Sequence, residues 1–137
     1  MASPSAPLHR LSIAFLLLLT ATLVGACHKE SATCQALDKL NSSVQALRNV
    51  NVVQDGASAL QKQVDAVVSD AQALKTAAGS EFGGQGTAFL SSLQDLKDEV
   101  QLAIQTPSTA NLAAAAGGVS VSVTDYNTLK SALPDCS

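Results

Sequence analysis

The sequence predicts an all-α fold, an antiparallel up-down four-helix bundle, on three observations. Apolar residues recur in steps of three and four along most of the chain after residue 34. Glycine, proline and asparagine gather at three places that divide this pattern into four stretches. Only Val119 to Val123 (VSVSV) alternates as a strand would, and a strand that short needs partners the sequence does not offer.

The first helix carries Leu37, Leu40, Val44 and Leu47, with Val50 and Val53 continuing the stripe. Asn49, Asn51, Asp55 and Gly56 each disfavour a helix interior, so a break is expected near Asn51 to Asp55. The second helix repeats the pattern at Ala57, Leu60, Val64, Val67, Ala71, Leu74 and Ala78. The glycine-rich GSEFGGQG, Gly79 to Gly86, reads as a reversing loop. Phe89, Leu93, Leu96, Val100 and Ala103 mark the third helix. Pro107 suits the first turn of a fourth, with Thr106 as its N-cap. That helix is expected to present Leu112, Ala116, Val119, Val123, Tyr126, Leu129 and Leu133 on one face and to end at Pro134. Its alanines, Gly117 and Gly118 weaken it, but small residues let a neighbouring helix come close. The alternative is a long two-helix hairpin, its helices about 70 Å long, running through the breaks near Gly56 and Pro107–Ser108 without folding over.

At 137 residues the chain supports one domain at most. Its hydrophobic fraction of 47% is inflated by the run from Leu11 to Val24, which is apolar except for Ser12, Thr20 and Thr22. That run is shorter than the roughly 18 residues a spanning helix needs, and His9 and Arg10 precede it without an acid. A basic start, a short apolar stretch and then small residues describe an export signal over residues 1–26. Arg10 is the one basic residue in that segment, which leaves seven Lys and Arg against eleven Asp and Glu. The aromatic residues that remain are Phe82, Phe89 and Tyr126. An acidic surface with so few rings can neither neutralise phosphates nor stack bases, which argues against a nucleic-acid partner.

The signal closes on Val24-Gly25-Ala26-Cys27, which resembles the lipobox of bacterial lipoproteins, with the more usual Leu displaced to Leu23. The resemblance implies that a diacylglyceryl group joins the Cys27 sulfur and that cleavage falls just before it. Two acyl chains anchor a protein stably where one does not. A plain secretory signal cut after Ala26 is the alternative, and it leaves Cys27 as a bare thiol in an oxidising compartment. With Cys27 lipidated, Cys34 and Cys136 remain as an even pair and are expected to form a disulfide. An even number of antiparallel helices returns the C-terminus to the starting end and brings those two residues together. Residues 27–33 then form an anchor and tether, with His28 to Thr33 reaching about 20 Å, and residues 34–137 form the helical domain. This mature part also resembles small helical secreted proteins of actinobacteria that have no assigned activity, being rich in Ala, Val and Gln with a cysteine near each end. That likeness carries no functional residue.

The inventory offers little to catalysis. After signal removal the one histidine is His28, on the tether, so no imidazole is expected in a cleft. Asp95, Asp98 and Glu99 share a helical face and could attract a hard cation. The stripe of Leu93, Leu96 and Val100 turns that face to solvent, and Asp65 and Asp70 read the same way. No Gly-Lys-Ser/Thr follows the glycine-rich loop to cradle a phosphate. No cofactor, metal or catalytic residue is expected. The function expected is a non-enzymatic, lipid-anchored module on the outer face of a bacterial membrane that binds another envelope protein. A carrier of small apolar ligands in the bundle core is the alternative, because the Ala- and Gly-rich last helix fills little volume.

Overall fold

The computed structural model describes residues 31–133 and Cys136, and these residues are helical apart from short connections. Four long helices carry the fold: α1 (Ala32–Arg48), α3 (Ala57–Ala78), α4 (Gly83–Gln105) and α5 (Thr109–Ala132). A single turn, α2 (Val52–Asp55), sits in the first break, and a 3₁₀ turn (Gly79–Phe82) precedes α4. Val119 to Val123 is helical, as expected, since its neighbours give it nothing to pair with as a strand.

Each start has a local chemical reason. Ser31 caps α1 by accepting from the Cys34 N–H at 3.2 Å. The α1 helix therefore begins at Ala32 and takes in two residues of the expected tether, with Thr33 buried and its hydroxyl donating to the Ala77 carbonyl at 3.2 Å. Asn51 caps α2 by accepting from Val53 and Gln54, while its own N–H donates to the Asp55 carboxylate at 2.9 Å. The break thus lies at residues 49–51 and Gly56, and the polar cluster that interrupts one helix starts the next. Ser108, not Thr106, caps α5, accepting from the Asn111 N–H at 3.1 Å. Thr106 instead ends α4 with φ −134° and ψ 77°, outside the helical region that the following Pro107 disfavours.

The glycine-rich reversal is tighter than the sequence suggested, because Gly83 to Gly86 already belong to α4. Gly79 and Gly83 turn the chain with φ of 55° and 50°, where side-chain-bearing residues are strained. Phe82 lies between them and is buried. A Cβ at Gly86 would overlap the Phe82 ring, so the missing side chain makes the seat for the aromatic one.

Consecutive long helices meet in reverse residue order. Thr33 and Ser43 of α1 face Ala77 and Asp70 of α3, Asp65 of α3 pairs with Lys97 of α4, and Phe89 of α4 stacks at a tilt on Tyr126 of α5 with centroids 5.9 Å apart. Every stripe residue expected in α3 beyond Ala57, and every one in α4, is buried. Fully buried Leu40, Leu60, Phe89 and Leu93 each contribute about 1.5–3 kcal/mol on transfer from water.

Two stripes depart from expectation. In the first, Val53 is 85% exposed and Val52 is buried in its place, because the turn at residues 49–51 shifts the helical phase by one residue. In α5, Ala115, Ser122, Tyr126 and Leu129 are buried, as is Leu133 at its C-cap, whereas Ala116 is exposed and Leu112, Val119 and Val123 lie at the margin. The cause is close approach to α4. A Cβ at Gly118 would overlap the Glu99 carboxylate and lie 3.1 Å from a Leu96 methyl carbon. The small side chains, rather than the valines, face the neighbour.

Cys34 and Cys136 are joined by a disulfide, with Cα atoms 5.3 Å apart and a separation of 102 in sequence. A loop of that length limits the unfolded chain by up to about 4.7 kcal/mol in the chain-entropy treatment. The bond ties the end of the chain to the start of α1.

Candidate functional site

The residues expected to carry chemistry fall in three places. Cys27 and His28, the expected anchor and tether, lie outside the described residues, as does Pro134. Cys34 and Cys136 are brought together. The acids are distributed along α3 and α4. Asp65 pairs with Lys97 at 3.1 Å, a partly exposed contact of small energetic weight. Asp70 accepts from the Ser43 hydroxyl, so it holds α3 to α1 rather than facing only water.

Asp95 and Asp98 are exposed as the stripe requires, but Glu99 is not fully so. Its Oε2 is buried without a hydrogen-bond partner beneath Gly118. Burial raises the Glu99 pKa above its ordinary value, and the nearby charge of Asp95 adds to the rise. Around it, Ser92, Asp95, Leu96, Gly118 and Val121 line a small hollow of about 150 Å³. Among the described residues no group of three His, Cys, Asp or Glu side chains is placed to hold a metal ion.

A different region combines apolar lining with an accessible charge. The α5 helix packs chiefly on α4 and meets α1 at few points. At the disulfide end that meeting is firm: the Tyr126 hydroxyl donates to Asn41 Oδ1 at 3.0 Å, and the Cys34–Cys136 bond lies beyond it. Burial raises the Tyr126 pKa to about 12, with Asp38 adding to the rise. Away from that end the two helices leave a seam.

Two hollows follow one another along the seam. Arg48, Val119, Ser120 and Val123 line one of about 280 Å³. Val52, Val53, Thr109, Leu112, Ala113 and Ala116 line the next, about 400 Å³ and almost wholly apolar. The α5 residues of the two occupy consecutive turns, so together they extend about 17 Å along the helix from Leu112 to Val123. No carboxylate partners Arg48 among the described residues, and it closes α1 where a cation suits the free carbonyls.

Sequence periodicity did not reveal this seam. It assigned Val53, Leu112, Ala116, Val119 and Val123 to the core, where a continuous stripe would put them. The signal available was the pair Val52-Val53 inside a polar break, since a single short turn there has little core to cover two adjacent valines about 100° apart. Among the described residues, no helix is long and apolar enough to cross a membrane. Compared with protein-family models, curated proteins and solved structures, the chain matches none.

Proposed function

We propose that this chain is an exported bacterial lipoprotein, a non-enzymatic module held on the outer face of the cell membrane that binds another envelope protein. The observation that carries the reading is the Cys34–Cys136 disulfide. It uses two of the three cysteines and leaves Cys27, the residue closing the lipobox-like Val24-Gly25-Ala26-Cys27, for the lipid. Residues 1–26 are removed, and His28 to Ser31 tether α1 to the anchor over about 14 Å. The mature chain has no histidine beyond that tether, which is the main reason to read binding rather than catalysis.

The four long helices form an antiparallel up-down bundle in this reading. Its support is the reverse-order meeting of α1 with α3, α3 with α4 and α4 with α5, together with the Asn41–Tyr126 bond between first and last. A long two-helix hairpin would separate α1 from α3 and α4 from α5. The bundle then stands with its disulfide end towards the bilayer and α2 away from it.

Cys27→Ser tests the anchor. The expected result is loss of the protein from the membrane fraction and its recovery in the soluble one, with intact mass showing a diacylglyceryl adduct on the wild-type chain alone. Equal membrane retention of both proteins, or a wild-type mass with an unmodified Cys27, rejects the lipoprotein reading. Carriage of a small apolar ligand is a second reading, favoured by the apolar hollow beside α2.

A further inference from the structure

We infer that the seam between α1–α2 and α5 binds a single-chain anionic amphiphile, of the long-chain fatty acid type, with its alkyl chain beside α2 and its carboxylate on Arg48. Three features of the seam lead to this ligand. The hollow beside α2 is lined by Val52, Val53, Leu112, Ala113 and Ala116 with one hydroxyl, from Thr109, so it offers an alkyl chain contact and offers a polar molecule almost nothing. The adjoining hollow brings in Arg48, a guanidinium that no carboxylate partners among the described residues, with the Ser120 hydroxyl alongside. The α5 residues that line the apolar hollow and the Arg48 hollow lie on consecutive turns of one helix face, which is the spacing of a chain and its head group rather than of two ligands.

The rest of the fold favours a slot over a closed contact. The disulfide and the Asn41–Tyr126 bond pin α5 to α1 at one end, so α5 can part from α1 at the other end without leaving the molecule. The residues α5 turns to the seam are small or at the margin of the core: Leu112, Val119 and Val123 pack on it partly, and Ala113 and Ala116 are exposed. Val53, 85% exposed, gives the other wall an accessible apolar side chain. The site differs from the core cavity that the Ala- and Gly-rich helix suggested: it lies between α5 and α1–α2, whereas Gly118 brings α4 close to α5 and leaves the smaller hollow around Glu99 on that side.

The inference rests on the carrier reading and is independent of the anchor. Its test uses the full-length sequence expressed in a bacterial host. The product, held in phosphatidylcholine vesicles, is photolabelled with a diazirine-bearing hexadecanoate or with the matching hexadecanol, and the labelled peptides are identified by mass spectrometry. The expected result is hexadecanoate label concentrated on the peptides holding Val52–Val53 and Thr109–Val123. Arg48→Gln should lower it about threefold to fivefold, as for an exposed charge pair. Ala116→Leu and Ala113→Leu, both exposed helical positions, should each abolish it by filling the slot while leaving the helical circular dichroism unchanged. Equal labelling by hexadecanol, with no effect of Arg48→Gln, overturns the anionic ligand and leaves the carrier reading standing. Label spread over the chain, and indifferent to both leucines, overturns the slot and the carrier reading together. Neither result bears on where Cys27→Ser fractionates.

Discussion

Replacing Gly86 by alanine should destabilise the fold, although the same change normally stabilises a helix. At an open helical position, glycine to alanine gains up to about 1 kcal/mol. Gly117 is such a position: it is exposed in α5, and nothing lies within 4 Å of where a Cβ would stand. At Gly86 the added Cβ would overlap three ring atoms of Phe82. That ring is 2% exposed and lies in the turn between Gly79 and Gly83, so it has no free direction in which to yield. Overpacking of this kind costs about 1–3 kcal/mol, which exceeds the propensity gain. Gly86→Ala, at a mid-range cost of about 2 kcal/mol offset by a gain of about 1, should therefore melt about 4–8 °C below the wild type, and Gly117→Ala up to about 4–8 °C above it. Thermal and urea unfolding followed by circular dichroism, with the disulfide intact, measure both. Combining Gly86→Ala with Phe82→Leu should cost less than the sum of the two single changes, since the leucine removes the overlap. If Gly86→Ala melts at or above the wild-type temperature, or the two changes simply add, the close seating of Phe82 on Gly86 is wrong.

Two further predictions concern the helix contacts. A raised Glu99 pKa means that the folded state binds the proton more tightly than the unfolded chain, so this group's contribution is complete below its ordinary value of 4.5 and is lost as pH rises through the folded value. Glu99→Gln should accordingly flatten the stability–pH curve just above 4.5 relative to wild type; parallel curves for the two proteins would mean that Oε2 is not buried beneath Gly118. Tyr126→Phe removes the hydroxyl that reaches Asn41 and should cost about 1 kcal/mol in urea titrations. The wild-type phenol should resist ionisation in an ultraviolet titration until about pH 12, with stability falling as pH rises from 10 towards that value. A phenol that titrates near 10 in the folded protein would place Tyr126 at the surface.

The helices of this chain were legible where one face alone had to be apolar. Leu60 to Ala78 and Phe89 to Ala103 keep an unbroken three-four spacing, and there the stripe and the buried face coincide. The reading failed where a backbone turn reset the phase, as between Val50 and Val52, because periodicity counts residues and not the angle that a turn consumes. It failed again in α5, where apolar residues surround the helix and burial is chosen by which side chains are small enough to let α4 approach. The disulfide was legible by a different route, from the odd number of cysteines and the lipobox-like position of the first. Beyond the Val52-Val53 pair, the seam was not legible. It is a space between helices, and it depends on the positions of Arg48, Val53 and Ala116 relative to each other rather than on the type of any of them.

The same weakness in α5 gives the disulfide its purpose. A helix whose contact face is built from Ala115, Gly118 and Ser122 buries little apolar area per turn, so packing alone holds it less firmly than α3 or α4 is held. Placing the covalent tie just beyond its C-terminal end limits the cost of that thin contact, since the helix cannot depart once the bond to Cys34 has formed. The bond also fixes where any loosening can occur. Tyr126 and Leu129, the large buried residues of α5, lie in the half nearest Cys136, and buried Leu133 caps that end. The half nearest Ser108 has only Ala115 fully buried, with Leu112 at the margin. Motion of α5 relative to α1 is therefore confined by construction to the end that holds Val52, Val53 and Leu112. Amide exchange should rank the two halves accordingly, with protection at residues 126–132 exceeding that at 110–116, and reduction of the disulfide should diminish the difference. Equal protection along α5 would mean that the seam is as tightly closed as the disulfide end and that no slot exists for a ligand to enter.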